Sequence, residues 1–158
     1  MATRVKAEAS DLYECDVYAW AEEQAALIRA RQFGDLDLEH LIEEIEDVGG
    51  SLYREVRSRV RTVIQHLLKL EHSRANERKM SWHESIRRER DDLADALTPT
   101  LRPRIEANLT RFYVTARIEA AAALREHSEH AAAHALPQTC PYSFDQLTGD
   151  WWPLNRSE

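Results

Sequence analysis

Apolar side chains recur at three- and four-residue intervals along most of the chain, the spacing that places them on one face of an α-helix. The first such run follows Asp16, an acceptable N-cap, and reaches about Arg31, with Val17, Trp20, Gln24, Leu27 and Ile28 along one narrow stripe. Gly34 is placed to terminate it, and Asp37 to cap a second helix whose Glu39 sits favourably against the helix dipole. In that second helix Leu41, Ile45, Val48, Leu52, Val56, Val60, Val63, Leu67 and Leu70 keep spacings of three or four, and the phase survives Gly49 and Gly50. Run from Leu38 to about Ala75, the helix is roughly 57 Å long at 1.5 Å per residue, more than the ~40 Å diameter of a compact domain of this size. It must kink at the glycines, where the backbone is most permissive, or protrude into a dimer; the kink is the expectation.

Ser81-Trp82-His83-Glu84 has the form of a capping box and predicts the start of a third helix, with Ile86, Leu93 and Leu97 buried and Thr98-Pro99 closing it. A fourth helix opens around Thr100 to Pro103, because proline in a first turn lacks only an N–H that has no partner there. Its apolar side is Ile105, Leu109, Phe112, Ala116, Ala120, Ala123 and Leu124, and Pro137 ends whatever helix remains. In the tail, Ser143-Phe144-Asp145-Gln146 is a second capping box with Gly149 as its stop. With Tyr142, Leu147, Trp151 and Trp152 nearby, this segment is expected to be a short helix with aromatic anchors packed back on the bundle. The fold class is therefore all-α: a compact bundle of four main helices, a long second one, and a short C-terminal helix with an aromatic tail.

Composition supports that picture. Four Gly and five Pro in 158 residues leave little room for linkers, and 43% apolar with 31% charged residues is ordinary for a globular protein. The expectation is a single domain over 1–158, ordered over about 11–153, with a flexible N-terminus at 1–10. Cys15 and Cys140 are too far apart in sequence for a zinc ligand pair and too few for a secreted disulfide scaffold. The start of the chain shows no apolar leader and no stretch reaches the ~20 apolar residues of a membrane span, so a cytoplasmic, non-membrane protein is expected.

Charge changes the picture more. Residues 1–50 carry 4 Lys/Arg against 13 Asp/Glu, a net of −9; residues 51–104 are net +5 and residues 105–158 net −3. Segregation of this kind predicts electrostatic pairing between segments, between subunits, or with a polyanion.

Five stretches carry a resemblance. Asp16-Val17-Tyr18-Ala19-Trp20, the run from Leu36 to Glu46, His66-Leu67-Leu68-Lys69-Leu70, Ser81-Trp82 and Cys140 to Leu147 stand in an order and spacing similar to the bacterial family called domain of unknown function 29. The resemblance spans about residues 11–153 and implies an all-helical fold and a bacterial source. It brings no activity and no catalytic residues. The sequence departs from the family pattern at Leu70, where tryptophan is commoner, and in the His-rich stretch after Arg125.

Two constellations carry candidate chemistry. His127, His130 and His134 would share one face of a single helix and hold Zn or Ni through imidazole, with Glu126 or Glu129 as an oxygen donor. Arg54, Arg57 and Arg61 on one helical face, with Arg87 and Arg90 on another, would form a surface that tracks the phosphates of a nucleic acid. A carboxylate-bridged di-metal bundle is disfavoured because the chain contains no Glu-x-x-His pair. The sequence also lacks a Gly-rich phosphate loop, a Gly-x-Ser-x-Gly elbow and a Cys–His nucleophile pattern. The leading expectation is a non-enzymatic protein-interaction or regulatory module, a homo-oligomer or a binder of another protein, with no cofactor. Nucleic-acid binding stands second and metal binding third.

Overall fold

The computed structural model of the protein describes residues 12–153; the segment 1–10, expected to be flexible, lies outside them. Among the described residues the chain is all-α. The helices are α1 (Val17–Arg29), α2 (Leu38–His72), α3 (Asn76–Ala96), α4 (Leu101–Glu106), α5 (Leu109–Glu126), α6 (His130–Ala135) and α7 (Phe144–Thr148), with a 3-10 turn at Phe33–Asp35. The chain divides into two compact units between Ser51 and Leu52, within α2.

In the N-terminal unit α1 begins as its sequence predicts: the Asp16 carboxylate accepts the Ala19 N–H at 3.0 Å. It ends differently. The N–H of Gln32 bonds to the Leu27 carbonyl and that of Arg31 to the Ile28 carbonyl, with Arg31 in the left-handed region at φ 58°. That pair of bonds is the Schellman closure, and an arginine adopts it where glycine is usual. Gly34 is not the stop; it lies in the following 3-10 turn. Helix α2 then runs unbroken through Gly49 and Gly50. The glycines do not interrupt it because helical φ and ψ are open to any residue, and a Cβ added at Gly49 would meet no atom within 4 Å.

The C-terminal unit holds a core of Val56, Val60, Val63, Ile64 and Leu67 from α2, Ile86 and Leu93 from α3, Ile105 from α4, and Phe112, Ala116, Ala120 and Leu124 from α5. Helix α2 stops at His72, and α3 starts at Asn76 instead of at Ser81. The connection between them is held from a distance. Glu129, from the turn after α5, accepts the Ser73 hydroxyl and the Arg74 N–H, each at 2.8 Å, while the Ser73 hydroxyl oxygen accepts the Ala75 N–H. Ser81 falls inside α3 and donates to the Arg78 carbonyl, so its capping box does not form. The expected fourth helix is split at Ala107 and Asn108 into α4 and α5.

The tail folds as expected. In α7 the Ser143 hydroxyl accepts the Gln146 N–H at 3.2 Å and the Gln146 side chain accepts the Ser143 N–H at 2.9 Å, with Gly149 as the C-cap. Tyr142, Phe144 and Leu147 are buried in the core, and Trp151 and Trp152 pack against it.

Candidate functional site

Each unit has a polar keystone that includes residues of the stretches that carry the family resemblance: Trp20, Asp37 and His40 in one, Gln146 and Leu147 in the other. In the N-terminal unit the start of α2 is tied to α1 through Asp37. Its backbone N–H donates to the Gln24 side chain at 2.9 Å, and its carboxylate accepts the Trp20 indole N–H at 3.2 Å and pairs with His40 Nδ1 at 2.6 Å. Tyr13 stacks on the His40 ring with centroids 4.0 Å apart and donates its hydroxyl to Glu44. Burial by itself would raise the Asp37 carboxyl, but the His40 ring, the Trp20 indole and the His40 backbone N–H together hold it below its usual value. The same bond to Asp37 raises His40 against its desolvation. The hydrogen bond to Glu44 pushes the Tyr13 hydroxyl up to about 12.

In the C-terminal unit the keystone is Arg90. Its guanidinium is buried and donates to the backbone carbonyls of Leu147 at 3.0 Å, Gln146 at 2.6 Å and Trp151 at 2.8 Å, with the Trp152 ring 4.9 Å from its centre. Two of those carbonyls belong to the last turn of α7, where the helix leaves acceptors without donors and the dipole favours a cation. Arg90 is thus a C-terminal cap delivered from α3, and desolvation lowers its pKa below the usual arginine range. Tyr142 donates to Glu71, and Tyr113 donates to the Pro137 carbonyl at 2.6 Å, so the tail is also fixed to α2 and α5. His66, half-buried near Lys69 and Arg88, has its pKa lowered to about 4, by desolvation first and by those two charges second.

This geometry corrects parts of both sequence constellations. Arg90 does not face solvent beside Arg87; it is consumed by the tail. Arg61 is paired with Glu119, and its neighbour Arg59 is held by Glu55, Glu89 and Asp92. Arg57 is half-buried, and Arg54 and Arg87 are exposed. The acids that neutralise Arg59 and Arg61 therefore come from α2 past the glycines, α3 and α5. The three histidines do not share a helix. His127 is the C-cap of α5, where Ser128 at φ 63° and the bonds from Ser128 to Arg125 and from Glu129 to Leu124 form a second Schellman closure. His130 and His134 lie on the separate helix α6, and among the described residues no three His, Cys, Asp or Glu side chains are grouped to hold a metal.

Two exposed faces stand out instead. Along the first half of α2, Leu38, Ile42, Ile45 and Val48 form an apolar stripe with exposures of 54%, 57%, 69% and 63%. The exposed carboxylates of Glu39, Glu43 and Glu46 lie on the same part of the helix. On α5, Val114 and Ile118 are 51% and 59% exposed, between Arg111 and Arg125 on one face. Beside them α5 and α6 enclose a cleft of about 190 Å³ lined by Arg117, Ile118, Arg125, His134 and Gln138 among others, with no carboxylate in its wall.

Among the described residues no helix is long and apolar enough to cross a membrane. No curated protein and no solved structure matches the sequence. The family model described as "Domain of unknown function DUF29" matches residues 12–152, a range that takes in all five stretches and both keystones. The chain belongs to that family.

Proposed function

We propose that the protein is an interaction module whose docking face is the apolar stripe Leu38–Val48 of α2, and that its partner presents an apolar surface flanked by basic side chains. The observation that carries this reading is the exposure of four large aliphatic residues in register on a helix already anchored at its start by Asp37, Trp20 and His40. A contiguous apolar strip of this kind on a soluble domain marks a contact surface. The charge around it selects the partner. Residues 12–51 carry 2 Lys/Arg against 11 Asp/Glu, so a basic surface is attracted and two such stripes repel one another. The reading assigns no catalytic step.

The test is a calorimetric titration with two synthetic amphipathic helices of identical apolar face, one carrying lysines and one glutamates on its flanks. The lysine peptide binds, binding weakens as salt is raised, and the glutamate peptide does not bind. The Ile42→Asp/Ile45→Asp double variant keeps its helical content and loses the interaction. Equal binding of both peptides, or of the lysine peptide to wild type and variant alike, contradicts the proposal.

A further inference from the structure

The α5 face and the cleft beside it have the opposite character to the α2 stripe. Arg111, Val114, Ile118 and Arg125 follow one another along a single face of α5, with Arg117 on its margin and His134 and Gln138 contributed from beyond it. The two acids of this helix do not offset them. Glu119 is held by Arg61 on another side, and Glu126 is turned about 100° from Arg125 around the helix axis. At about 190 Å³ the cleft is below the ~300–1,000 Å³ typical of small-molecule sites. It suits one or two inserted side chains, an acidic one against the arginines and an aliphatic one against Ile118.

The α2 stripe offers that combination: aliphatic residues at Leu38, Ile42, Ile45 and Val48 beside carboxylates at Glu39, Glu43 and Glu46. We infer that the partner of the α2 stripe is the α5–α6 cleft of a second copy of this chain. The inference rests on the docking face proposed above and adds the identity of its occupant. Each copy then presents one acidic apolar face and one basic apolar face, so the contact is heterologous. Repeated, it closes into a ring or continues as an open chain of subunits. It leaves both keystones intact, because Arg90, Asp37 and His40 belong to neither face.

Sedimentation velocity on two variants tests this. The stripe variant Ile42→Asp/Ile45→Asp keeps the cleft, and the cleft variant Ile118→Asp/Arg125→Glu keeps the stripe. All four positions are exposed, and circular dichroism with a thermal midpoint establishes that each variant is folded. Wild type is expected to form larger species as concentration rises and to lose them at high salt. Each variant alone is expected to remain monomeric, and an equimolar mixture to form a 1:1 dimer that grows no further. A cleft variant that still dimerises alone overturns the inference in favour of stripe-to-stripe pairing. A mixture that forms no complex also overturns it. Monomeric wild type that still binds the lysine peptide overturns the second copy as partner and leaves the docking face standing; loss of peptide binding as well removes both. Ile118→Asp alone, at a position that lines the cleft, is the alternative cleft variant if Arg125→Glu disturbs folding.

Discussion

One face of α2 carries aliphatic residues at the same three- and four-residue intervals from Leu38 to Leu70, yet its two halves have opposite surroundings. Val56, Val60, Val63 and Leu67 have no exposed surface, whereas Leu38, Ile42, Ile45 and Val48 are more than half exposed. The difference lies in what each unit provides to cover the face. The C-terminal unit brings α3, α4, α5 and the aromatic tail onto its half. The N-terminal unit brings α1 to the start of the helix through Trp20, Gln24 and Asp37, leaving the stripe itself open. Periodicity thus identifies the face of a helix that avoids water, and it is silent on whether the cover comes from the same chain.

The sharpest way to break this comparison is to attack the cover of the buried half. Arg90→Met leaves the carbonyls of Leu147, Gln146 and Trp151 without their donor and is expected to cost on the order of 3–5 kcal/mol in urea denaturation. A loss below about 1 kcal/mol would mean the tail does not depend on the clamp. Next come matched truncations on the shared face. Leu67→Ala is expected to cost about 2–5 kcal/mol through lost burial and the cavity left behind. Ile45→Ala should fall within about 0.5 kcal/mol of wild type. Similar costs at the two positions would show that the stripe is covered within the chain.

Two histidines extend the comparison to pH, with opposite signs. His66 is half-buried, with its folded pKa lowered to about 4, so the unfolded state takes up the proton first as pH falls. Its contribution is complete above the ordinary histidine pKa of ~6.5 and is lost as pH falls from there through about 4. His40 has a raised pKa in the folded state, so its contribution is complete below ~6.5 and is lost as pH rises through that raised value. Asp37, lowered by the same pairing, contributes fully above its ordinary ~3.9 and fails only as pH falls through its folded value. Urea denaturation across pH should show His66→Gln flattening the acid side and His40→Gln flattening the neutral-to-alkaline side. The reverse assignment would contradict the pairing of the two environments with the two units.

Much of the fold was legible, and the exceptions have a common cause. The Asp16 cap, the α7 capping box and the α2 register all depend on residues within a few positions of one another, and the buried tail was legible from its own density of aromatic residues. The Ser81 capping box failed because α3 already starts at Asn76, after a connection that Glu129, over fifty residues later, ties down. The histidine face failed because a Schellman closure turned the chain at His127, with serine where glycine would have announced it. Arg90 read as a surface charge because nothing local reveals that the end of a five-residue helix will seek it as a cap. In the N-terminal unit Asp37 was identified as a cap. The Asp-x-x-His spacing to His40 was the available sign of its second role.

The smallest expected effect concerns those two helix ends. Arg31→Gly and Ser128→Gly place glycine where the backbone is left-handed, and each should stabilise its own unit by about 0.5–1 kcal/mol in the same denaturation assay. A loss at either site would indicate that the native side chain makes a contact worth more than the strain it carries.

The most direct measurement of the central claim is thiol labelling along α2 in a chain whose Cys15 and Cys140 are replaced by serine. Single cysteines at Leu38, Ile42, Ile45 and Val48 are compared with single cysteines at Val56, Val60, Val63 and Leu67, each with and without the lysine-flanked peptide. The account predicts fast labelling of the first four in the free chain, protection of those four when the peptide is bound, and slow labelling of the second four throughout. Slow labelling of the first four in the dilute free chain, or labelling that the bound peptide leaves unchanged, would contradict it.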